Sequence, residues 1–265
     1  MLKDVTLGQY FPGDTIAHRL DPRTKILLLI LFIVALFTAR GWAGYGLMVL
    51  VTVACMAVSH ISPKNIFKGL KPMLFIIVFT AALNLFYTDG TSVRPGWPIT
   101  WEGAARSVQM ILRIVLLIAG TFLLTYTTSP MALTDGMERL LNPLKKIGLP
   151  VHEITMMMSM ALRFIPTLIE ETDKIMSAQK ARGADFENGS LLQRAKALLP
   201  ILVPLFVSSF RRADELAVAM ESRCYHGGGG RTRMKQLHFA PRDLWALALG
   251  FLLVAGMIAL KHFGW

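Results

Sequence analysis

Five stretches of this chain are predominantly apolar, and its basic residues gather between them. They run over Ile26–Ala39, Ala43–Val58, Met73–Tyr87, Ser107–Tyr126 and Asp243–Lys261. A helix needs about 20 apolar residues to cross a bilayer, with a range of about 17–25, and several of these runs meet or approach that length. The pattern predicts an all-α integral membrane protein with about five membrane helices. Composition agrees. Hydrophobic residues make up 54% of the 265, mean hydropathy is +0.50, and charged residues are only 17%, below the roughly 25% of a soluble domain.

The net charge of +11 would suggest a nucleic-acid partner in a soluble chain. Here the charges sit between apolar runs, and aromatic residues do not interleave with them as a stacking platform requires. Positive-inside topology and the anionic headgroups of the lipid bilayer account for them instead, and no nucleic acid is expected. The loop Ser59–Pro72 carries Lys64, Lys68 and Lys71 and no acid, which places it and the N-terminal arm on the cytoplasmic side. The turn Arg40-Gly41-Trp42 and the loop Thr88–Gly103, with Asp89, Arg94, Trp97 and Trp101, then face out. The C-terminus ends outside, in a multi-pass protein of the cell membrane. The first 25 residues are polar, so no cleavable signal peptide is expected in them. Cys55 and Cys224 are far apart and form no CxxC pair, so neither a disulfide framework nor a zinc site is expected.

In the N-terminal arm, Pro12-Gly13 reads as a turn. Asp21 is placed to cap the helix that Pro22 opens, and Arg23 and Lys25 fall at headgroup level, where simple anchoring explains them. Arg113 lies inside an apolar run. A charge at that depth faces either a partner membrane subunit or a polar group within its own bundle, and the sequence leaves both open. Further on, Met137, Leu140, Leu141 and Leu144 have the spacing of a short amphipathic surface helix within Asp135–Lys146.

Two segments then share a plan: a Pro-bearing apolar run, acids, an Ala, and an Arg where the helix stops. At an offset of 41 positions Asp173 falls on Asp214, Ala178 on Ala219 and Arg182 on Arg223. The first helix is expected over Val151–Arg182. Straight, it would be roughly 45 Å long, against a hydrocarbon core of roughly 30 Å. A vertical span would carry its charged second half outside, so it is expected to lie obliquely along the cytoplasmic face, bent at Pro166. Gly183 is a natural C-cap. The second helix should start after Ser190 and run to about Tyr225. Each terminal Arg could simply complement the helix dipole, or it could reach a partner. Other signals fall away. Gly227–Gly230 followed by Arg231-Thr232 lacks the order of a phosphate loop. His152-Glu153 has Met, not His, at position 156. The cluster Met156, Met157, Met158 and Met160 suits an adaptable packing surface. No nucleophile–base constellation and no cofactor or metal site is readable, so no catalytic role is expected.

Asp21-Pro22-Arg23-Thr24-Lys25, Asp135 to Lys146, the run Arg163-Phe164-Ile165-Pro166-Thr167-Leu168 through Ala181-Arg182-Gly183, and Ala217 to Gly228 together resemble the transmembrane T component of energy-coupling factor (ECF) vitamin transporters, the EcfT/CbiQ family. The likeness covers nearly the whole chain. It implies an L-shaped, all-helical importer subunit whose two long crossing coupling helices end in short Ala-Arg-Gly-type motifs. Each Arg would dock in one of two cytoplasmic ATPase subunits. A small substrate-binding membrane subunit, the S component, would carry the vitamin or metal specificity. On this chain the docking residues are Ala181, Arg182 and Gly183, which match in full, and Ser222, Arg223 and Cys224, which depart at both flanks. Met156, Met157, Met160, Leu140 and Leu144 would contact the S component. The implied organisation is residues 1–128 as membrane helices with a cytoplasmic arm, 129–240 as a cytoplasmic coupling domain, and 241–265 as a last membrane helix.

Overall fold

The computed structural model describes residues 10–88, 100–184, 186, 190–227 and 237–262. The part of the Thr88–Gly103 loop that holds Asp89, Arg94 and Trp97, the linker residues Arg231, Arg233 and Lys235, and Trp265 lie outside the described residues. Nine α-helices are present among the described residues: α1 (Pro22–Thr38), α2 (Gly41–Ser59), α3 (Pro63–Leu70), α4 (Leu74–Tyr87), α5 (Trp101–Thr127), α6 (Pro130–Leu141), α7 (Val151–Ala181), α8 (Leu191–Glu221) and α9 (Pro241–His262). Short 3-10 turns follow α3 at Lys71–Met73 and α6 at Asn142–Ile147. Four stretches are long and apolar enough to cross a membrane: α2, α3 continuing into α4, α5, and α9. The remaining expected span falls in α1, which is 17 residues long.

The chain divides into two compact units: residues 8–139 with 237–265, and residues 140–236. In the first, α5 is the central helix, packing against α1, α2, α3 and α4, while α1 packs most extensively against α9. Although a short turn joins them, α1 and α2 do not pair as a hairpin: α2 packs mainly on α5. Both are apolar nearly all round, so no single face dictates their partner. The core holds Leu36, Tyr45, Met48, Leu116 and Met257. Outside it Leu50, Phe75, Phe79, Phe251 and Leu252 are exposed, as expected of side chains that meet lipid.

Polar groups join the helix ends. Asp21 caps α1 as expected, accepting from the Arg23 amide at 2.9 Å, and also holds the Arg23 guanidinium at 3.0 Å. Arg23 donates to the Leu237 carbonyl at 3.1 Å and lies 4.0 Å over the Phe239 ring. It is thus bound within the fold rather than simply anchored in headgroups. Lys25 is buried too. Its Nζ donates to the Thr127 carbonyl at 2.8 Å and to Thr128 Oγ1 at 3.2 Å. Thr127 ends α5, where carbonyls lack intrahelical partners and a cation is favoured. The Phe11 amide satisfies the next carbonyl back, that of Tyr126, at 3.0 Å. The turn expected at Pro12-Gly13 lies instead within Thr15–Leu20, where Thr15 Oγ1 and the His18 ring are 2.6 Å apart.

Asp243 is the most buried of these groups, at 1% exposure. One carboxylate oxygen accepts from the Ala240 amide at the head of its own helix, and the other from the Asp21 amide at the head of α1, both at 2.8 Å. A single side chain therefore satisfies an orphan donor at two helix N-termini. Arg113 pairs inside its own bundle. Its Nη2 donates to the buried Tyr45 hydroxyl at 2.7 Å, and the guanidinium lies 5.6 Å from the Phe37 ring centroid. Of the two sequence readings, the intra-bundle contact is the one observed.

Candidate subunit-docking site

α7 and α8 make up most of the second unit. α7 opens after Pro150, in a conformation that leads into the helix, with Thr155 Oγ1 donating to the Val151 carbonyl at 2.7 Å. α8 opens with a capping box. Ser190 Oγ accepts from the Gln193 amide at 3.4 Å, and Gln193 Oε1 accepts from the Ser190 amide at 2.9 Å, satisfying two orphan donors. Both helices continue through their internal prolines, Pro166 in α7 and Pro200 and Pro204 in α8. Pro204 has no N–H to offer the carbonyl four residues before it, that of Pro200. Gln179 of α7 donates to that carbonyl instead, at 3.4 Å.

The two helices run antiparallel, and their contacts extend along both. At one end Gln179 meets Pro200. In the middle Glu171 accepts from Ser208 Oγ and from Arg212 Nη2, the latter at 3.0 Å. At the other end the Tyr225 hydroxyl meets Met156 Sδ at 2.9 Å. Between these last two contacts a groove of about 380 Å³ is lined by Met160 and Phe164 of α7 and by Leu216, Ala217 and Met220 of α8. The Ser208 hydrogen bond, with the Arg212 charge added, holds the Glu171 carboxyl below its usual range.

Glu171 and Arg212 are equivalent under the 41-residue offset, and they touch each other. The two antiparallel copies therefore cross-match about this pair, with the Gln179–Pro200 contact on one side of it and the Met156–Tyr225 contact on the other. The ends of the copies must then lie on opposite sides. Arg182 is eleven positions past Glu171, and Arg223 is eleven positions past Arg212. At 1.5 Å per residue about 33 Å of helix lies between the two arginines.

Each Arg sits at the same point of the same helix end. In α7 the Gly183 amide donates to the Lys180 carbonyl and the Ala184 amide to the Gln179 carbonyl, both at 3.0 Å. In α8 the Cys224 amide donates to Glu221 at 2.8 Å and the Tyr225 amide to Met220 at 3.0 Å. Both are Schellman ends with the Arg as the last residue before a left-handed one. That left-handed residue is Gly183 at φ +86° in α7 and Cys224 at φ +56° in α8. Cys224, the departure from the Ala-Arg-Gly pattern, thus keeps the glycine's conformation. Ala181, Arg182, Gly183, Ser222, Arg223 and Cys224 are all exposed. Neither the Arg182 nor the Arg223 side chain makes a hydrogen bond or ion pair among the described residues.

The other expected contact residues are dispersed. Met157 is 60% exposed, Met156 holds Tyr225, and Met160 lines the groove. Leu140 lies in the last turn of α6 and Leu144 in the following 3-10 turn, both half-buried. The amphipathic helix expected over Asp135–Lys146 is α6, which starts earlier, at Pro130, and stops at Leu141. Asn142-Pro143 tightens the backbone there. Glu171, Ser208 and Arg212 were not singled out from the sequence. The signal was present: an acid and a base occupy equivalent positions of the two copies.

The model of a family described as CbiQ, cobalt transport protein, matches residues 13–235. A protein of Thermosediminibacter oceani described as energy-coupling factor transporter transmembrane protein EcfT is 53% identical over 266 residues, covering all of both chains. Proteins so described from Clostridium kluyveri and Bacillus subtilis are 55% and 48% identical, covering 96% and 92% of this chain and 96% and 93% of their own. The chain belongs to the CbiQ/EcfT family, and is a transmembrane component of an energy-coupling factor transporter.

Proposed function

We propose that this protein couples ATP hydrolysis by two cytoplasmic ATPase subunits to movement of a small substrate-binding membrane subunit, for uptake of vitamins or related micronutrients. The observation that carries the reading is the pair of matched helix ends. Two exposed arginines without side-chain partners among the described residues are held in one local geometry at opposite ends of an antiparallel pair. A guanidinium offers five donors in a planar fork, suited to carboxylates and carbonyls in a groove. Small neighbours at Ala181, Gly183 and Ser222 leave it room to enter. In this reading each ATPase takes one Arg, and their closure on ATP moves α7 against α8. Residues 129–240 form the cytoplasmic coupling domain, the N-terminus is cytoplasmic and the C-terminus outside. Leu202, Phe206 and Phe210, exposed on one face of α8, join Met157 as the apolar surface on which the S component slides.

The test is charge reversal. Arg182→Glu and Arg223→Glu should each weaken co-purification with the ATPases, since loss of a buried Arg anchor costs about 2 kcal/mol or more, roughly thirtyfold in affinity. The double variant should abolish assembly and uptake. Full assembly and uptake by the double variant would exclude the docking role. Substrate flux in vesicles holding this chain alone would mark it as a self-sufficient transporter or channel instead.

A further inference from the structure

The segment Ser59–Pro72, expected to be a loop, contains a helix with two unlike sides. The inner side of α3 is fixed to α5. Ile66 and Leu70 are buried in a cluster with Ala119 and Tyr126, and the Tyr126 hydroxyl donates to the Asn65 carbonyl at 3.4 Å. Gly69 lies so close to the Phe122 ring that a Cβ there would come within 2.2 Å of it. These contacts leave α3 no freedom to rotate.

The outer side therefore presents a fixed set of groups. Lys64, Lys68 and Lys71 follow at intervals of four and three, which places them along one helix face. All three are exposed, and none makes a hydrogen bond or ion pair among the described residues. Phe67, beside Lys68, is 70% exposed. No acid occurs anywhere between Asp21 and Asp89, so nothing in this part of the sequence neutralises the three charges. The helix runs through the Lys71–Met73 turn into α4, whose exposed Phe75 and Phe79 rings stack at 6.2 Å. The lysines occupy about 10 Å of helix at the polar end of an apolar span. This is close to the depth of one headgroup layer, roughly 5–8 Å from the difference between total and hydrocarbon thickness.

We propose that α3 is a binding site for anionic phospholipid. Lys64, Lys68 and Lys71 hold the headgroup phosphate, and Phe67 enters the upper acyl layer beside it. A membrane lipid is favoured as the occupant because the cationic face is continuous with lipid-facing apolar side chains and bears an exposed aromatic ring. A water-soluble acidic partner would have to bury that ring against its own polar surface.

The test uses the full-length chain in nanodiscs of equimolar phosphatidylglycerol and phosphatidylcholine, with retained lipids counted by native mass spectrometry after gentle release. The wild type should retain phosphatidylglycerol preferentially, and less so as salt rises. Replacing Lys64, Lys68 and Lys71 together by Gln should reduce that preference at least fivefold, the effect of about one basic residue near an anionic surface. The triple Arg variant should keep it. An unchanged preference in the triple Gln variant would overturn the proposal. So would displacement of phosphatidylglycerol by an equal concentration of inorganic phosphate, or loss of ATPase co-purification with lipid preference intact. If the triple Gln variant fails to fold, the triple Arg variant and the salt series decide. Preference that is lost with Arg, or insensitive to salt, would refute a charge-based site.

Discussion

The sharpest quantitative consequence concerns the residue that follows each motif arginine. An L-residue in the left-handed region costs about 1–2 kcal/mol, and Cys224 sits there at φ +56°. Glycine removes that cost but gains freedom in the open chain, which offsets about 0.4–1 kcal/mol of it. Cys224→Gly should therefore tighten the end of α8 by about 1 kcal/mol, and Gly183→Ala should loosen the end of α7 by a similar amount. A Cβ at position 183 would meet nothing within 4 Å, so the penalty there is conformational and not steric. One kcal/mol is about a fivefold change in a local opening equilibrium. Residue-resolved hydrogen exchange on the full chain measures it directly. The Gly183 and Ala184 amides should exchange about fivefold faster in Gly183→Ala, and the Cys224 and Tyr225 amides about fivefold slower in Cys224→Gly. Gly183→Asn should fall between wild type and Gly183→Ala, because Asn tolerates the left-handed region. Unchanged exchange in both main variants, or greater protection in Gly183→Ala, would refute the argument that these residues set the helix ends.

Two further outcomes follow from buried or paired carboxylates. The Glu171 carboxyl is held below its usual range by Ser208 and Arg212, so its contribution is present above the unfolded value near about 4.3 and lost as pH falls through the folded value. Thermal unfolding in detergent should show a gap between wild type and Glu171→Gln that is flat near neutrality and closes on acidification; a gap that widened below about pH 4 would contradict this. Asp243→Ala leaves the Asp21 and Ala240 amides without their acceptor and should destabilise by about 2–6 kcal/mol, at about 1–3 per buried donor. Asp243→Asn keeps one acceptor oxygen and should cost about half as much, which a comparison of melting temperatures would check.

What the sequence disclosed was mostly local. The Ser190 start of α8, the Asp21 cap of α1 and the Gly183 stop of α7 each depend on chemistry within a few residues, and each stands where the pattern placed it. The apolar runs gave the membrane character for the same reason. Pairings between helices were not readable. The Asp243 contact to Asp21 crosses 222 positions, and nothing in either segment names the other. Arg113 was conspicuous, but its partner Tyr45 was one polar group among many. The α3 helix was hidden because its lysines suggested a loop and its buried side holds only Ile66 and Leu70. For Arg182 and Arg223, spacing alone could not separate a dipole-complementing Arg from one that reaches a partner. The matched Schellman ends set these two apart from other exposed arginines such as Arg163 and Arg211.

The Asp243 clamp also bears on how the protein is made. Chains are synthesised and inserted from the N-terminus, so α1 enters the bilayer long before α9 exists. Until the last helix arrives, the amide at the head of α1 lacks its acceptor, and the side of α1 that packs on α9 faces only lipid. The membrane unit is therefore closed last by the helix that emerges last. A chain stopped anywhere after α8 would carry both motif arginines but an unfinished bundle. The acid that links the first helix to the last thus acts as a check on completion: a truncated subunit would keep its exposed helix ends, but it would lack the clamp that makes the bundle durable.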